Sequence, residues 1–510
     1  MSSVFNADDD NIPFFGSRVR PEASLSFSPR HSESHVPGRH LNALLNAENA
    51  IGISLDEAAI EKHANAAFYS YGGAVPLPLN RAELGGELVN FSPHNVREGF
   101  HALYALAASR DSVRARELAE ASIESIFEYW DPEGDWNAEE LRRKHGIIVY
   151  KEQSFIVGLA RAIGPLTKYF RTTGYGPALE LALLLKDKVI NGWFRADGHY
   201  DIDIFGTHTH SATCVMSGLA QLADLTTDAP LMARVKAFYD NGMWGMRDEL
   251  GWVIESNLPD SSPDRGEVNN TGDTVETALI LGRWGYADAY QDAERILRGH
   301  LLPSQLRDIS FIQDPPNPNN EEGLRDVANR HLGAFGFPAP YGHQPVDAGD
   351  DPKHPDQSAP VVSFNMDIVG GAVGTLCEVY REATRLDVTG HSVNLFFDHQ
   401  TDAISVKSPY THDALTIATK KPGTIRVRIP TWASQVQATV SGAEAHGLAT
   451  GSALLFSDVT VGEELRIEFA LEPSEMILKH RTRQIKVQMR GDAVEAMENF
   501  GADLTFFPPL

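Results

Sequence analysis

The sequence predicts an α+β multidomain protein, an (α/α)6 toroid or barrel followed by an antiparallel β-sandwich. Over residues 37–388 the chain repeats pairs of amphipathic helices separated by short polar breaks. From residue 389 the hydrophobic period changes to the two-residue alternation of strands. A length of 510 residues agrees with this division, being too long for one compact core.

Residues 1–36 read as an N-terminal extension. "HLNALLNAENAIGISLDEAAIEKHANAAF" then stands before the first full pair, "GFHALYALAASRDSVRARELAEASIESIFEYW", which breaks at Arg110-Asp111. The next, "FIVGLARAIGPLTKYFRTTGYGPALELALLLKDKVI", breaks at Thr173-Gly174. In it Leu159, Ile163, Leu166 and Phe170 form the stripe of a buried helix face. "SATCVMSGLAQLADLTTDAPLMARVKAFYDNGM" breaks at Thr227-Asp228, and "VETALILGRWGYADAYQDAERILRGH" at Gly285. "GGAVGTLCEVYREATRL" is half of another pair. About six such pairs, too irregular for a simple solenoid, fit a closed ring whose inner helices surround a funnel. The segments 244–275 and 307–363, rich in Pro, Asp and Asn, then become rim loops.

The strand region covers residues 389–485, with "DAISVKS", "ALTIATK", "GTIRVRIPTW", "VQATVSG" and "ELRIEFALE" as its runs. Ile425, Val427 and Ile429 should face one way and Arg426 and Arg428 the other. Residues 486–510 read as a C-terminal tail, whose "GADLTFFPPL" can dock on the chain itself or on a neighbouring subunit of a homo-oligomer.

A formal net charge of −25 argues against nucleic acid or an anionic membrane surface as partner. The first residues lack the basic and apolar regions of a leader, and no apolar run reaches the roughly 20 residues of a membrane span, so the expected location is cytoplasmic. Two cysteines, Cys214 and Cys377, allow no disulfide framework or Cys-rich zinc site and are expected as buried free thiols. No phosphate-binding glycine loop, Gly-x-Ser-x-Gly elbow or His-Glu-x-x-His pair occurs, and "VGGAVGTL" lacks the preceding strand of a dinucleotide site. No cofactor and no metal are expected.

The candidate site lies where inner helices begin. Polar residues recur there: His94, Arg97 and His101 in "FSPHNVREGFHAL"; Tyr150, Lys151, Glu152 and Gln153 in "VYKEQSFIVGL"; His208 and His210 in "GTHTHS". Asp273 and Glu276 stand three apart, a spacing that suits two carboxylates on one helix face and equally an N-cap with its capping-box partner. Asp367 in "NMDIVGG" is a second facing carboxylate or a cap before a Gly-rich helix. Trp252 offers a stacking face for a sugar or a core residue.

Several strings resemble the glycoside hydrolase family of bacterial β-L-arabinofuranosidases: "VETALILGRWGYADAYQDAERILRGHLLPSQ", "GTHTHSATCVMSGLAQLADLTTD" and "TIRVRIPTWA", in that order. The resemblance implies a toroid with a β-sandwich and a carbohydrate substrate. It puts Glu276 at the family's Glu-x-Cys helix start, His208 and His210 at a substrate-contacting histidine, and the family's acid/base in the loop carrying Glu255 and Glu267. That family uses a zinc-thiolate centre. Here Ala278 stands where Glu-x-Cys needs its cysteine, and "FNMDIVGGAVGTLCE" has no Cys pair. Zinc would lack its soft ligands. The expectation is a zinc-independent glycoside hydrolase working through carboxyl groups, with Glu276, Asp273 and Asp367 catalytic. Two alternatives remain open. A polysaccharide lyase or sugar epimerase on the same toroid would use Tyr150, His208 or His210 as acid and base. A sugar-binding relative would have no activity.

Overall fold

The structure is a computed structural model describing residues 1–152, 154–258, 262–344, 346, 361–457 and 459–510. Eleven long helices build its first part: α1 (Val36–Ile51), α2 (Glu57–Ser70), α3 (Val96–Arg110), α4 (Val113–Tyr129), α5 (Ile163–Thr173), α6 (Gly176–Gly192), α7 (Thr209–Thr226), α8 (Ala229–Asp240), α9 (Val268–Arg283), α10 (Ala287–Ile296) and α11 (Ile368–Ala383). The odd-numbered helices form the inner ring: each touches the next, and α11 touches α1, so the ring closes. The even-numbered helices lie outside their sequence partners.

The breaks have local causes. Asp111 and Thr227 take left-handed φ of 49° and 55°, ending α3 and α7. Ser112 and Asp228 follow at once as N-caps, accepting from Ala115 N at 3.2 Å and Leu231 N at 2.9 Å. The sixth pair is incomplete among the described residues, because α11 passes directly into the strand Thr384–Asp387. Glycines let the inner helices approach closely. A Cβ on Gly38 of α1 would lie 1.8 Å from Glu98 O of α3, and one on Gly370 of α11 would lie 2.7 Å from the Arg39 backbone of α1. The "VGGAVG" string is therefore helix-packing chemistry.

The second part holds a six-stranded and a five-stranded antiparallel-dominated sheet packed around Val393, Phe396, Ile417, Ile425, Val427 and Ile467. Arg428 departs from the alternation expected of it. It is buried, pairs with Glu294 of α10 and donates to Gln291 Oε1 at 2.7 Å, joining the sandwich to the toroid. The boundary expected at residue 485 falls inside a strand. Pro473–His480, Arg483–Arg490 and Ala493–Met497 make a separate three-stranded sheet that packs on Leu250, Ala339 and Tyr341. The C-terminal segment docks on the chain itself, Phe506 N donating to Tyr341 O at 2.9 Å. No helix among the described residues is long and apolar enough to cross a membrane.

Candidate active site

Residues at or just before the starts of α1, α3, α7, α9 and α11 surround a cleft of about 340 Å³, and Val157 in the lead-in to α5 joins them. That volume falls within the roughly 300–1,000 Å³ usual for small-molecule sites. Four of the lining residues are themselves N-cap residues: His35 of α1, His208 of α7, Glu267 of α9 and Asp367 of α11. None of the four makes the side-chain capping bond that this position ordinarily supplies. They face the cleft instead, which suits a site more than a helix.

Glu267 and Asp367 differ sharply in proton affinity. Burial, the nearby Glu255 carboxylate and Asp367 push Glu267 up to about 8, against the hydrogen bond from Asn269 Nδ2 at 2.8 Å. Burial would raise Asp367 too, but the hydrogen bond and charge of His35, with Arg39, outweigh it and hold this carboxyl below its ordinary range. His35 Nε2 lies 3.2 Å from Asp367 Oδ2, while its Nδ1 lies 3.0 Å from Asn95 Oδ1. Asp367 Oδ1 is buried and has no hydrogen-bond partner among the described residues. Of these two carboxyls the one at Glu267 is therefore shifted toward its protonated form and the one at Asp367 toward its ionised form, the asymmetry that separates an acid from its base or nucleophile.

Below the cleft lies a floor of paired charges. Glu98, fully buried, receives Arg97 Nη1 at 2.9 Å, Arg39 Nη2 at 3.1 Å and Arg161 Nη2 at 3.2 Å. Burial would raise its pKa, but Arg161, His35, Arg39 and Arg97 hold it well below the carboxylate range. Arg97 Nη2 also reaches Asp273 Oδ1 at 3.3 Å, and Asp273 Oδ2 accepts from Thr213 Oγ1 at 3.0 Å. Burial first, and Glu276 after it, raise Asp273. His210 joins the two levels, its Nδ1 3.5 Å from Glu267 and its Nε2 3.4 Å from Asp273. Burial and the neighbouring arginines depress His210 strongly, so it is neutral.

The sequence-predicted residues separate accordingly. Glu152, Glu255, Glu267, His94, His208, His210 and Asp367 line the cleft together. Asp273, Glu276, Arg97 and His101 line a narrower cavity of about 20 Å³ further down the axis. The capping-box reading of Asp273 and Glu276 is corrected: α9 begins at Val268, so both lie inside the helix. Glu276 accepts from Ser217 Oγ at 3.0 Å and Thr375 Oγ1 at 3.2 Å. Trp252 is also corrected. It is 1% exposed, donates Nε1 to Pro338 O at 2.8 Å and has no face for a sugar. Tyr150 lies half-buried beneath the Arg30 guanidinium, 4.5 Å from it, and does not line the cleft. Gln153 lies outside the described residues.

Sequence reasoning missed Phe15, Arg30, His31 and His35, because residues 1–36 read as an appendage. A signal was present in "RHSESHVPG": two histidines one helical turn apart, just before a proline suited to the first turn of a helix.

The donor set does not fit a zinc-thiolate centre. Cys214 and Cys377 are both buried free thiols on separate helices, and neither lines the cleft. Cys214 Sγ accepts from Arg161 Nε at 3.3 Å. Two mixed groups gather ligand atoms within 4.8 Å of one another: His208, His210 and Glu267, and His210, Cys214 and Asp273. The second is walled by Arg39, Arg97 and Arg161, whose charges oppose a cation.

No protein-family model matches the chain, and no curated protein matches it in sequence. Solved structures do match its fold. A β-L-arabinofuranosidase of glycoside hydrolase family 127 from Geobacillus stearothermophilus T6 is 13% identical, with a TM-score of 0.58 over 90% of this chain and 77% of that one. A second family-127 β-arabinofuranosidase is 13% identical, with a TM-score of 0.57 over 92% and 77%. A structure described as a glycoside hydrolase is 12% identical, with a TM-score of 0.55 over 90% and 77%. At these identities the likeness establishes the toroid-and-sandwich fold.

Proposed function

We propose that the protein is a glycoside hydrolase whose cleft at the funnel mouth uses Glu267 as proton donor to the leaving oxygen. Asp367 is the carboxylate opposite it, as base toward water or as nucleophile. The observation that carries this reading is the unequal protonation of two carboxyls lining one sugar-sized cleft. His35 holds Asp367 ionised and oriented, while neutral His210 sits against Glu267. The fold shared with glycosidases supports the reaction class. Its zinc independence rests on the donor set, which lacks the thiolates. Glu276 and Asp273 keep a supporting place under the floor.

The test is a panel of aryl glycosides in both anomeric forms, with products identified by NMR for the parent protein and for Glu267→Gln. Release of a free, saturated sugar that fails in Glu267→Gln is the expected result. An unsaturated product absorbing in the ultraviolet would replace the hydrolase with a lyase. No turnover on any glycoside, with sugar still bound in the cleft, would leave only a binding protein.

A further inference from the structure

We propose that the sugar this cleft accepts is anionic, carrying a carboxylate as a uronic acid residue does. The inference rests on the cleft being the active site. It comes from how charge is distributed at the mouth of a chain whose overall balance is −25.

Each acid of the cleft has a partner in the protein or its own proton, although Glu152, bonded to a neutral hydroxyl, keeps its charge. Glu255 pairs with Arg265, Glu152 Oε1 accepts from Ser92 Oγ at 2.6 Å, and Asp367 is bonded to His35. Glu267 carries its proton at neutral pH. The cations are not balanced in the same way. Arg30 and Lys151 both line the cleft, both are exposed, and neither has a carboxylate within ion-pair distance among the described residues. Arg30 is held over the Tyr150 ring at 4.5 Å, which fixes the plane of its guanidinium without neutralising it. Lys151 follows in the chain and supplies a second positive charge beside it.

The backbone adds to this field. The inner helices turn their N-terminal ends, the positive ends of their dipoles, toward the same cleft. The N-cap side chains there leave those ends without capping bonds. Arg30 and Lys151, with the helix N-termini, give one side of the mouth positive charge that the whole molecule, at −25, lacks. A neutral sugar has no use for it. A carboxylate takes a paired contact from Arg30 and a point charge from Lys151.

The experiment compares 4-nitrophenyl glucuronides and galacturonides, both anomers, with the matched glucosides and galactosides. Free glucuronate and glucose are also titrated by calorimetry into the Glu267→Gln protein. The expected kcat/KM is at least tenfold higher for a uronide than for its neutral match, with calorimetry favouring glucuronate. Arg30→Ala and Lys151→Ala should each shrink that ratio about tenfold, mainly through KM, with Arg30→Lys recovering part of it. Equal or better use of neutral sugars overturns the proposal. Glucuronate binding without turnover of any glycoside would uphold the anion site and sink the hydrolase reading. Failure of glucuronate both to bind and to react overturns the proposal, whatever neutral glycosides do.

Discussion

The mouth of the funnel and its floor both hold buried, charged side chains set by the same ring of helices, yet they are different kinds of place. The floor is organised by paired charges: three guanidinium groups converge on Glu98, one of them also on Asp273. The space left over is about 20 Å³. At the mouth the space is about 340 Å³, the N-cap side chains abandon their helices, and the two carboxyls are driven to opposite protonation states. Burial and charge together therefore do not mark a site. Room, and proton affinities left unequal, do.

The comparison can be broken most severely at Glu98. Glu98→Ala leaves Arg39, Arg97 and Arg161 facing one another without their carboxylate. Losing one member of a buried ion cluster costs about 3–5 kcal/mol. A large fall in melting temperature or in folded yield is expected, and a variant that melts like the parent would show that the floor is not structural.

Glu267→Gln should act in the opposite way. It removes the proton donor, so turnover should drop by about 10²–10⁴-fold. It also removes a carboxyl that the fold must keep protonated. A raised native pKa means that this side chain is tolerated below its unfolded value and costs stability as pH climbs toward about 8. Thermal melts at pH 9 should therefore show the variant on the order of 2 °C more stable than the parent. A destabilised Glu267→Gln would place Glu267 with the paired charges of the floor.

The pH profile sharpens the contrast further. With Glu267 protonated and Asp367 ionised as the active form, kcat/KM should fall above about pH 8. Asp367 is held below its ordinary range, so the acid limb should lie below the usual carboxylate pKa. An optimum confined to the acid side of pH 5 would mean that Glu267 is not the group that must stay protonated.

Metal removal gives a smaller expected effect. Dialysis against a chelator should leave activity nearly unchanged. Loss of activity that zinc restores would make His208, His210 and Glu267 a metal-holding group and take the acid role from Glu267.

Glu276→Gln should also change little. Glutamine can still accept from one of Ser217 and Thr375 and donate its amide to the other, and the residue does not line the cleft. Turnover within about threefold of the parent is expected, since general-acid loss would cost far more. A drop of about 10²-fold would move the chemistry down to the narrower cavity.

Much of the architecture was legible because it depends on local chemistry. In the stripe Leu159, Ile163, Leu166 and Phe170 the first three are buried as helical spacing requires, and Phe170 is half-buried against the same core. The breaks at Asp111 and Thr227 fall where a residue with left-handed backbone precedes a capping side chain. The change to strand alternation is as local a signal, and Ile417, Ile425 and Val427 enter the sandwich core. Arg428 was not legible, since its reason lies with Glu294 of a helix more than a hundred residues earlier.

The sequence by itself determined the helix pairs, the strand region, the acidic balance and the pool of polar residues from which a site could be drawn. It could not say where a helix begins to the residue, so Asp273 and Glu276 looked like caps while the true first turn lay at Val268. Only the closed ring decided the rest. It brings His35, far earlier in the chain, against Asp367, and it separates Glu267 from Glu276 by more than two helical turns along the funnel axis. Which carboxyl carries a proton follows from that assembly. Protonation depends on burial and on charges contributed by distant segments, and a linear sequence specifies neither until the chain has folded.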